Sequence, residues 1–123
     1  MNPQHTRAAQ ELALDDLCEV VITAPDRTWL EEFARLLISD RLCAGTHITQ
    51  IHSLYPWEGS TQEALEARAA MRTRRSLVPE ILELTLARHP YQVPSLVVVP
   101  LIAASPNYAD WIRDNTRADS AAN

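Results

Sequence analysis

Residues 63–75, with the sequence EALEARAAMRTRR, decide the fold of this chain. Almost every residue in the segment is a good helix former, so propensity alone predicts a helix. A period of two fits the same residues equally well, because apolar and charged side chains alternate. On a strand, one face would carry Leu65, Ala67, Ala69, Met71 and Thr73, and the other Glu66, Arg68, Ala70, Arg72 and Arg74. The local pattern fits both structures, so the flanking elements must decide between them.

The flanking sequence supplies three further strands and three helices. The predicted strands are residues 17–24, 46–57 and 96–102. The predicted helices follow Asp26 as N-cap, span residues 76–89 with Ser76 as N-cap, and cover residues 107–113. If residues 63–75 form a strand, the order is β-α-β-β-α-β plus a short C-terminal helix, which is the ferredoxin-like split β-α-β arrangement of an α+β protein. If they form a helix, no two-layer packing of the remaining strands is obvious.

Two strand predictions carry a specific expectation about burial. In residues 46–57 the apolar positions change parity between Ile48 and Ile51, which indicates either a bulge or partial cover on both faces. The run LVVVPLI at residues 96–102 is continuously apolar, which predicts a strand covered on both sides, with Pro100 at an edge or a bend.

Length and composition place the chain among single-domain globular proteins. It has 123 residues, of which 46% are hydrophobic and 22% charged, and a formal net charge of -5. This charge argues against a nucleic-acid binder. All eleven basic residues are arginines, which excludes lysine Schiff-base chemistry, and two glycines are too few for a phosphate-binding loop. We expect a flexible segment over residues 1–16, one domain over residues 17–117 and a loose tail over residues 118–123.

Cysteine content and hydropathy predict the compartment. Cys18 and Cys43 do not form a C-x-x-C motif, and they are expected to be free, buried thiols. No apolar run approaches the ~18 residues that a membrane span requires. Residues 1–16 lack the pattern of a signal peptide. We therefore expect a cytoplasmic protein with no membrane partner.

Four sequence blocks together resemble the CutA family of divalent-cation tolerance proteins. They are T-A-P-D at residues 23–26, S-L-Y-P-W-E-G at residues 53–59, H-P-Y-Q-V-P at residues 89–94, and the pair Tyr108 and Trp111. The resemblance covers residues 19–116. It implies a ferredoxin-like domain in a homotrimer, with residues 63–73 as a strand paired to residues 46–57.

The resemblance also implies a function. The family is linked to tolerance of copper and other divalent metal ions, so the implied ligand is a divalent cation such as copper or zinc. His89 matches a family position and is the candidate metal ligand. The chain departs from the family pattern at Ile22, where some members carry cysteine, and at Arg88, where many carry histidine.

Other candidate site residues lie on the predicted hairpin. His47 and His52 are five residues apart and would lie on opposite faces of a regular strand, so a shared metal ion would need a bulge or a second subunit. Tyr55 and Trp57 lie on one face, and they would pack against a neighbouring protomer or stack on a ligand.

The charged face of residues 63–75 has two interpretations. Glu66, Arg68, Arg72 and Arg74 would form an ion-pair network between subunits, or they would line a pocket that binds a small anion. The resemblance places Tyr91 and Trp111 near this face across an interface.

No catalytic motif is legible, so a binding protein is favoured over an enzyme. The alternative is a CutA scaffold recruited as a small-molecule-binding or catalytic trimer. Its pocket would lie between protomers, with Glu66 as general acid or base, Arg72 as anion clamp and His47 in the lining.

Overall fold

The computed structural model describes residues 16–118. Its strands are β1 (Leu17–Ala24), β2 (Gly45–Trp57), β3 (Ser60–Arg74) and β4 (Leu96–Pro100), and its helices are α1 (Arg27–Ser39), α2 (Val78–Arg88) and α3 (Pro106–Asp114), with a 3-10 turn at Arg75–Leu77. This order is the predicted β-α-β-β-α-β with a C-terminal helix. The predicted flexible segment and loose tail lie outside the described residues, apart from Asp16 and Ala118. Among the described residues, no helix is long and apolar enough to cross a membrane.

The segment with two possible structures is a strand. The four strands form one antiparallel sheet in the order β2-β3-β1-β4, so β3 is bonded on both sides. Met71, for example, pairs with Val20 on β1 and with Thr46 on β2. Two neighbouring strands therefore satisfy the backbone of β3, and tertiary pairing overrides the local helix propensity.

Alternation along β3 places its small and apolar residues in the core. Ala67, Ala69, Met71 and Thr73 are at most 3% exposed beneath α1 and α2. Leu65 has the same parity but is 67% exposed, because β3 continues past the point where β1 ends. The hairpin of β2 and β3 thus extends beyond the packed layers.

The helix ends differ in how well they follow the prediction. Asp26 caps α1 as predicted, and its side chain accepts a hydrogen bond of 3.0 Å from the Thr28 backbone N–H. Ser76 was expected to cap the second helix. It lies instead in the 3-10 turn, and α2 begins after Leu77 without a side-chain cap.

The two burial expectations for the strands resolve in different ways. Pairing between β2 and β3 is continuous, so there is no bulge; Ile48 packs against the core, while Ile51 pairs with Glu66 on the opposite face. The prediction that residues 96–102 are covered on both sides is wrong within one chain. β4 is an edge strand, and Val97, Val98 and Val99 are 41–53% exposed.

The sheet side opposite α1 and α2 is called the open face. It carries the odd-numbered residues of β2 and the even-numbered residues of β3. Helix α3 covers one end of it, where Ala109 and Ile112 pack with Leu17 and Ala44. A Cβ atom added at Gly45 would lie 3.4 Å from the Trp111 ring, so this helix packs directly against the start of β2.

Candidate functional site

The predicted site residues on the open face fall into two groups within one chain. Glu66 and Arg72 lie six residues apart on β3, which corresponds to about 20 Å. Tyr55, Trp57 and Tyr91 lie near Glu66, whereas Trp111 lies with Arg72 at the other end. His47 is exposed and pairs with Ala70 between the two groups. One chain therefore does not bring all seven predicted ligand residues together.

The first group lines a cavity of about 630 Å³, here called the hairpin cavity. Its lining consists of Thr23, Ser53, Leu54, Tyr55, Pro56, Trp57, Glu66, Pro90, Tyr91, Gln92, Val93 and Ser95. The cavity lies where β1 ends, between the extended hairpin and the loop that follows α2. This volume is in the usual range for small-molecule sites. Three of the four family-like sequence blocks meet at this cavity.

Glu66 is the buried charged group of the hairpin cavity. Its side chain is only 6% exposed, and its Oε2 accepts a hydrogen bond of 3.0 Å from the Tyr91 hydroxyl. Burial raises the pKa of Tyr91 to about 12, and the hydrogen bond to Glu66 and its negative charge add to the shift. The tyrosine is thus a neutral donor that orients the carboxylate at neutral pH.

Tyr91 is expected to ionise at a higher pH than an ordinary tyrosine. Its pKa of about 12 exceeds the ordinary tyrosine value of 10.0, so the neutral phenol is favoured in the folded chain. The resulting stabilisation is complete below pH 10 and is lost as the pH rises through about 12. Ultraviolet titration curves are measured for wild type and Tyr91→Phe. Their difference should show one phenol that ionises with a pKa of about 12. A difference spectrum that titrates at the ordinary value would contradict the Glu66 contact.

His89, the predicted metal ligand, has hydrogen bonds at both ring nitrogens. Its Nδ1 accepts from the Tyr91 backbone N–H at 3.0 Å, and its Nε2 lies 2.7 Å from the Thr23 carbonyl oxygen. A carbonyl only accepts, so Nε2 carries the proton. The ring is 9% exposed and packs edge-on against Trp29. A metal ion at either nitrogen would replace one of these bonds, and His89 as a ligand stays a prediction.

The other potential metal ligands are dispersed. Within residues 16–118, no group of three or more His, Cys, Asp or Glu side chains is arranged to hold a metal ion. His52 contacts Glu63 at 3.0 Å, and both side chains are exposed. Continuous pairing places His47 and His52 on opposite faces. Cys18 and Cys43 are free and buried as predicted, and burial raises their thiol pKa to about 11 and about 12, which disfavours the metal-binding thiolate.

The second group joins helix α3 to the sheet. Arg72 Nε donates to Glu19 Oε2 at 2.8 Å, and its NH1 donates to the Tyr108 hydroxyl at 3.0 Å. Tyr108 in turn stacks on Trp111, with 5.6 Å between ring centroids. Arg72 therefore forms a structural ion pair within the chain, and its partner Glu19 was not among the predicted site residues. This partner follows from the register of β1 and β3, which places Glu19 directly opposite Arg72.

Sequence and structure comparisons identify the family. The family model of the CutA1 divalent ion tolerance proteins matches residues 18–115. The chain belongs to the CutA1 family.

Individual CutA relatives agree with this assignment. The divalent-cation tolerance protein CutA of Thermus thermophilus is 34% identical over 98 residues, which cover 79% of this chain and 95% of the relative. The chloroplastic protein CutA of Arabidopsis thaliana is 32% identical over 80% of this chain, and the match spans 54% of that longer protein. The crystal structure of CutA1 from Oryza sativa superposes with a TM-score of 0.82 at 30% identity and covers 85% of this chain and 96% of the rice chain. The α+β fold of the family is thus the fold of this chain.

Proposed function

We propose that the chain acts as a cytoplasmic CutA homotrimer that binds divalent metal ions, copper or zinc, and contributes to cation tolerance. The match of residues 18–115 to the divalent ion tolerance family carries this proposal. Metal binding is favoured over catalysis because the matching family is one of divalent ion tolerance and no catalytic motif is legible in the sequence.

The trimer is supported by apolar surface that one chain leaves uncovered. Val97, Val98 and Val99 on the edge strand β4 are 41–53% exposed, and Leu54 and Trp57 on the hairpin are 62% and 46% exposed. An exposed apolar edge strand favours pairing with another chain. The open face and β4 are therefore proposed as the contact surface between protomers, and the outer faces of the helices as solvent-facing.

Charge on the open face of β4 is expected to disrupt the trimer. The variant Val97→Asp/Val99→Asp places two carboxylates on the proposed interface, whereas Leu86→Asp alters an apolar side chain that is 60% exposed on α2. Light scattering should give three times the 13.8 kDa chain mass for wild type and Leu86→Asp, and a smaller mass for the double variant. A single-chain mass for wild type at micromolar concentration would refute the assembly.

Metal binding at His89 is tested by calorimetric titration with Cu²⁺ and Zn²⁺. Because copper and zinc take imidazole nitrogens as ligands, His89→Ala should abolish the binding heat if the ring opens towards the ion. His52→Ala is the matched control, since this histidine is exposed on the hairpin. Equal affinity of His89→Ala and wild type would remove His89 from the site.

A second candidate function uses the hairpin cavity as a small-molecule site of the trimer. The buried Glu66 among Tyr55, Trp57 and Tyr91 favours it, because ligand sites combine apolar walls with a few placed polar groups. In a catalytic version Glu66 would be the general acid or base and Arg72 the anion clamp. The two lie about 20 Å apart in one chain, so the cleft between protomers would have to bring them together. A thermal-shift screen of metals and small anions on wild type, Glu66→Gln and Arg72→Ala tests it. If both variants melt at a lower temperature than wild type and no ligand shifts the melting of any of the three proteins, the charged face has a structural role and the second candidate function is excluded.

A further inference from the structure

We infer that the hairpin cavity selects a small organic cation, such as an aromatic amine or a quaternary ammonium compound, through Glu66 and its aromatic wall. This inference rests on the second candidate function, that the cavity is a ligand site, and it fixes the charge of the ligand. It differs from both the divalent metal ion and the small anion considered above.

Charge is the first argument. Glu66 is the one charged side chain in the lining of the hairpin cavity within residues 16–118. Its Oε2 accepts a hydrogen bond from the Tyr91 hydroxyl. Among residues 16–118, no arginine forms an ion pair with Glu66. A buried carboxylate without a counter-charge is costly, and a bound cation lowers that cost. The cavity is therefore complementary to positive charge.

The walls of the cavity give the second argument. Tyr55, Trp57 and Tyr91 supply three aromatic rings around the space beside Glu66. Aromatic faces attract cations, and the attraction is strongest for weakly hydrated organic cations that lose little on leaving water. Carboxylate and rings together form a site for an ammonium head group on an apolar body.

The same residues argue against a bare metal ion. A divalent ion takes four or more donor atoms, several of them anionic or imidazole groups. The lining supplies one carboxylate and no histidine or cysteine, and a cavity of about 630 Å³ is far larger than an ion. The volume instead suits a molecule with its own apolar surface.

The arginines of the open face do not make the cavity an anion site. Arg68 pairs with Thr49 and Thr23 across the sheet and is not part of the lining. Arg72 lies about 20 Å further along β3 and is engaged with Glu19. An anion in the cavity would meet the Glu66 carboxylate without a compensating cation.

Three isosteric probes of different charge test the inference. Calorimetric titration of the full chain uses 2-phenylethylamine as the cation, 2-phenylethanol as the neutral probe and phenylacetate as the anion. The amine should bind at least about tenfold more tightly than either other probe, because only the ammonium group adds an ion pair with Glu66 to the hydrogen bond. Glu66→Gln removes the charge at nearly the same volume and should abolish this preference. Glu63→Gln, an equal change on an exposed residue of the same strand, should preserve it.

Each result separates the charge assignment from the existence of the site. Tighter binding of phenylacetate, or equal binding of all three probes, would overturn the organic cation but leave the cavity as a ligand site. Absence of binding by every probe, in wild type and both variants, would overturn the inference together with the second candidate function. An amine preference that survives Glu66→Gln would place the cation elsewhere and also overturn the inference.

Discussion

Replacing His89 with alanine is expected to lower the free energy of unfolding by about 2–4 kcal/mol, because two buried hydrogen bonds lose their partner. The imidazole joins the end of α2 to the end of β1 through the Thr23 carbonyl and to the following loop through the Tyr91 N–H. Its contact with Trp29, at 5.1 Å between ring centroids, is lost as well. Chemical denaturation at one fixed chain concentration measures the change, since the proposed assembly would make stability depend on concentration.

Two conservative variants separate the hydrogen bonds of His89. Asparagine offers an amide oxygen near the position of Nδ1, and glutamine offers an amide N–H near the position of Nε2. Each should recover part of the stability that alanine loses. Metal-free His89→Ala as stable as wild type would contradict the structural role and strengthen the case for a ligand role.

Met71→Ala is expected to cost about 2–5 kcal/mol, because the methionine is fully buried and its truncation leaves a cavity. Met71→Leu is the matched control; a swap of similar volume should cost less than about 1.5 kcal/mol. Thermal or chemical unfolding of the three proteins measures the difference. The comparison tests the register of β3 directly, since Met71 lies in the segment for which two structures were possible.

A slip of one residue in β3 would reverse the expected result. Such a slip exchanges the two faces of a strand, so Met71 would move to the open face and Arg72 towards the core. Met71→Ala would then cost little, and the Arg72 contacts with Glu19 and Tyr108 would be absent. A cost below about 1 kcal/mol for Met71→Ala would therefore refute the register, given the usual size of buried deletions.

Much of the hairpin cavity could be anticipated from short sequence blocks. Residues 53–59 and 89–94 were singled out as family-like, and both contribute to its lining. Tyr55, Trp57, Glu66 and Tyr91 were all predicted ligand residues and lie together. Within one chain Arg72 lies at the other end of the sheet, because six residues along β3 span about 20 Å. Trp111 lies there with it, and its approach to the cavity across a protomer interface stays a prediction.

Periodicity and capping chemistry by themselves determined β1, α1 and the approximate limits of the other elements. A run of β-branched residues at Leu17–Ala24 and the cap at Asp26 are local features, and local physics is enough to assign them. The structure of Ser60–Arg74, in contrast, is not determined by local features. Helix propensity and strand periodicity compete within it. Hydrogen bonds from β2, and from β1 over residues 67–74, with Met71 buried under the helices, make it a strand. The bonding of His89 and the pairing of Arg72 with Glu19 likewise depend on residues far apart in sequence, which only the tertiary structure brings into contact.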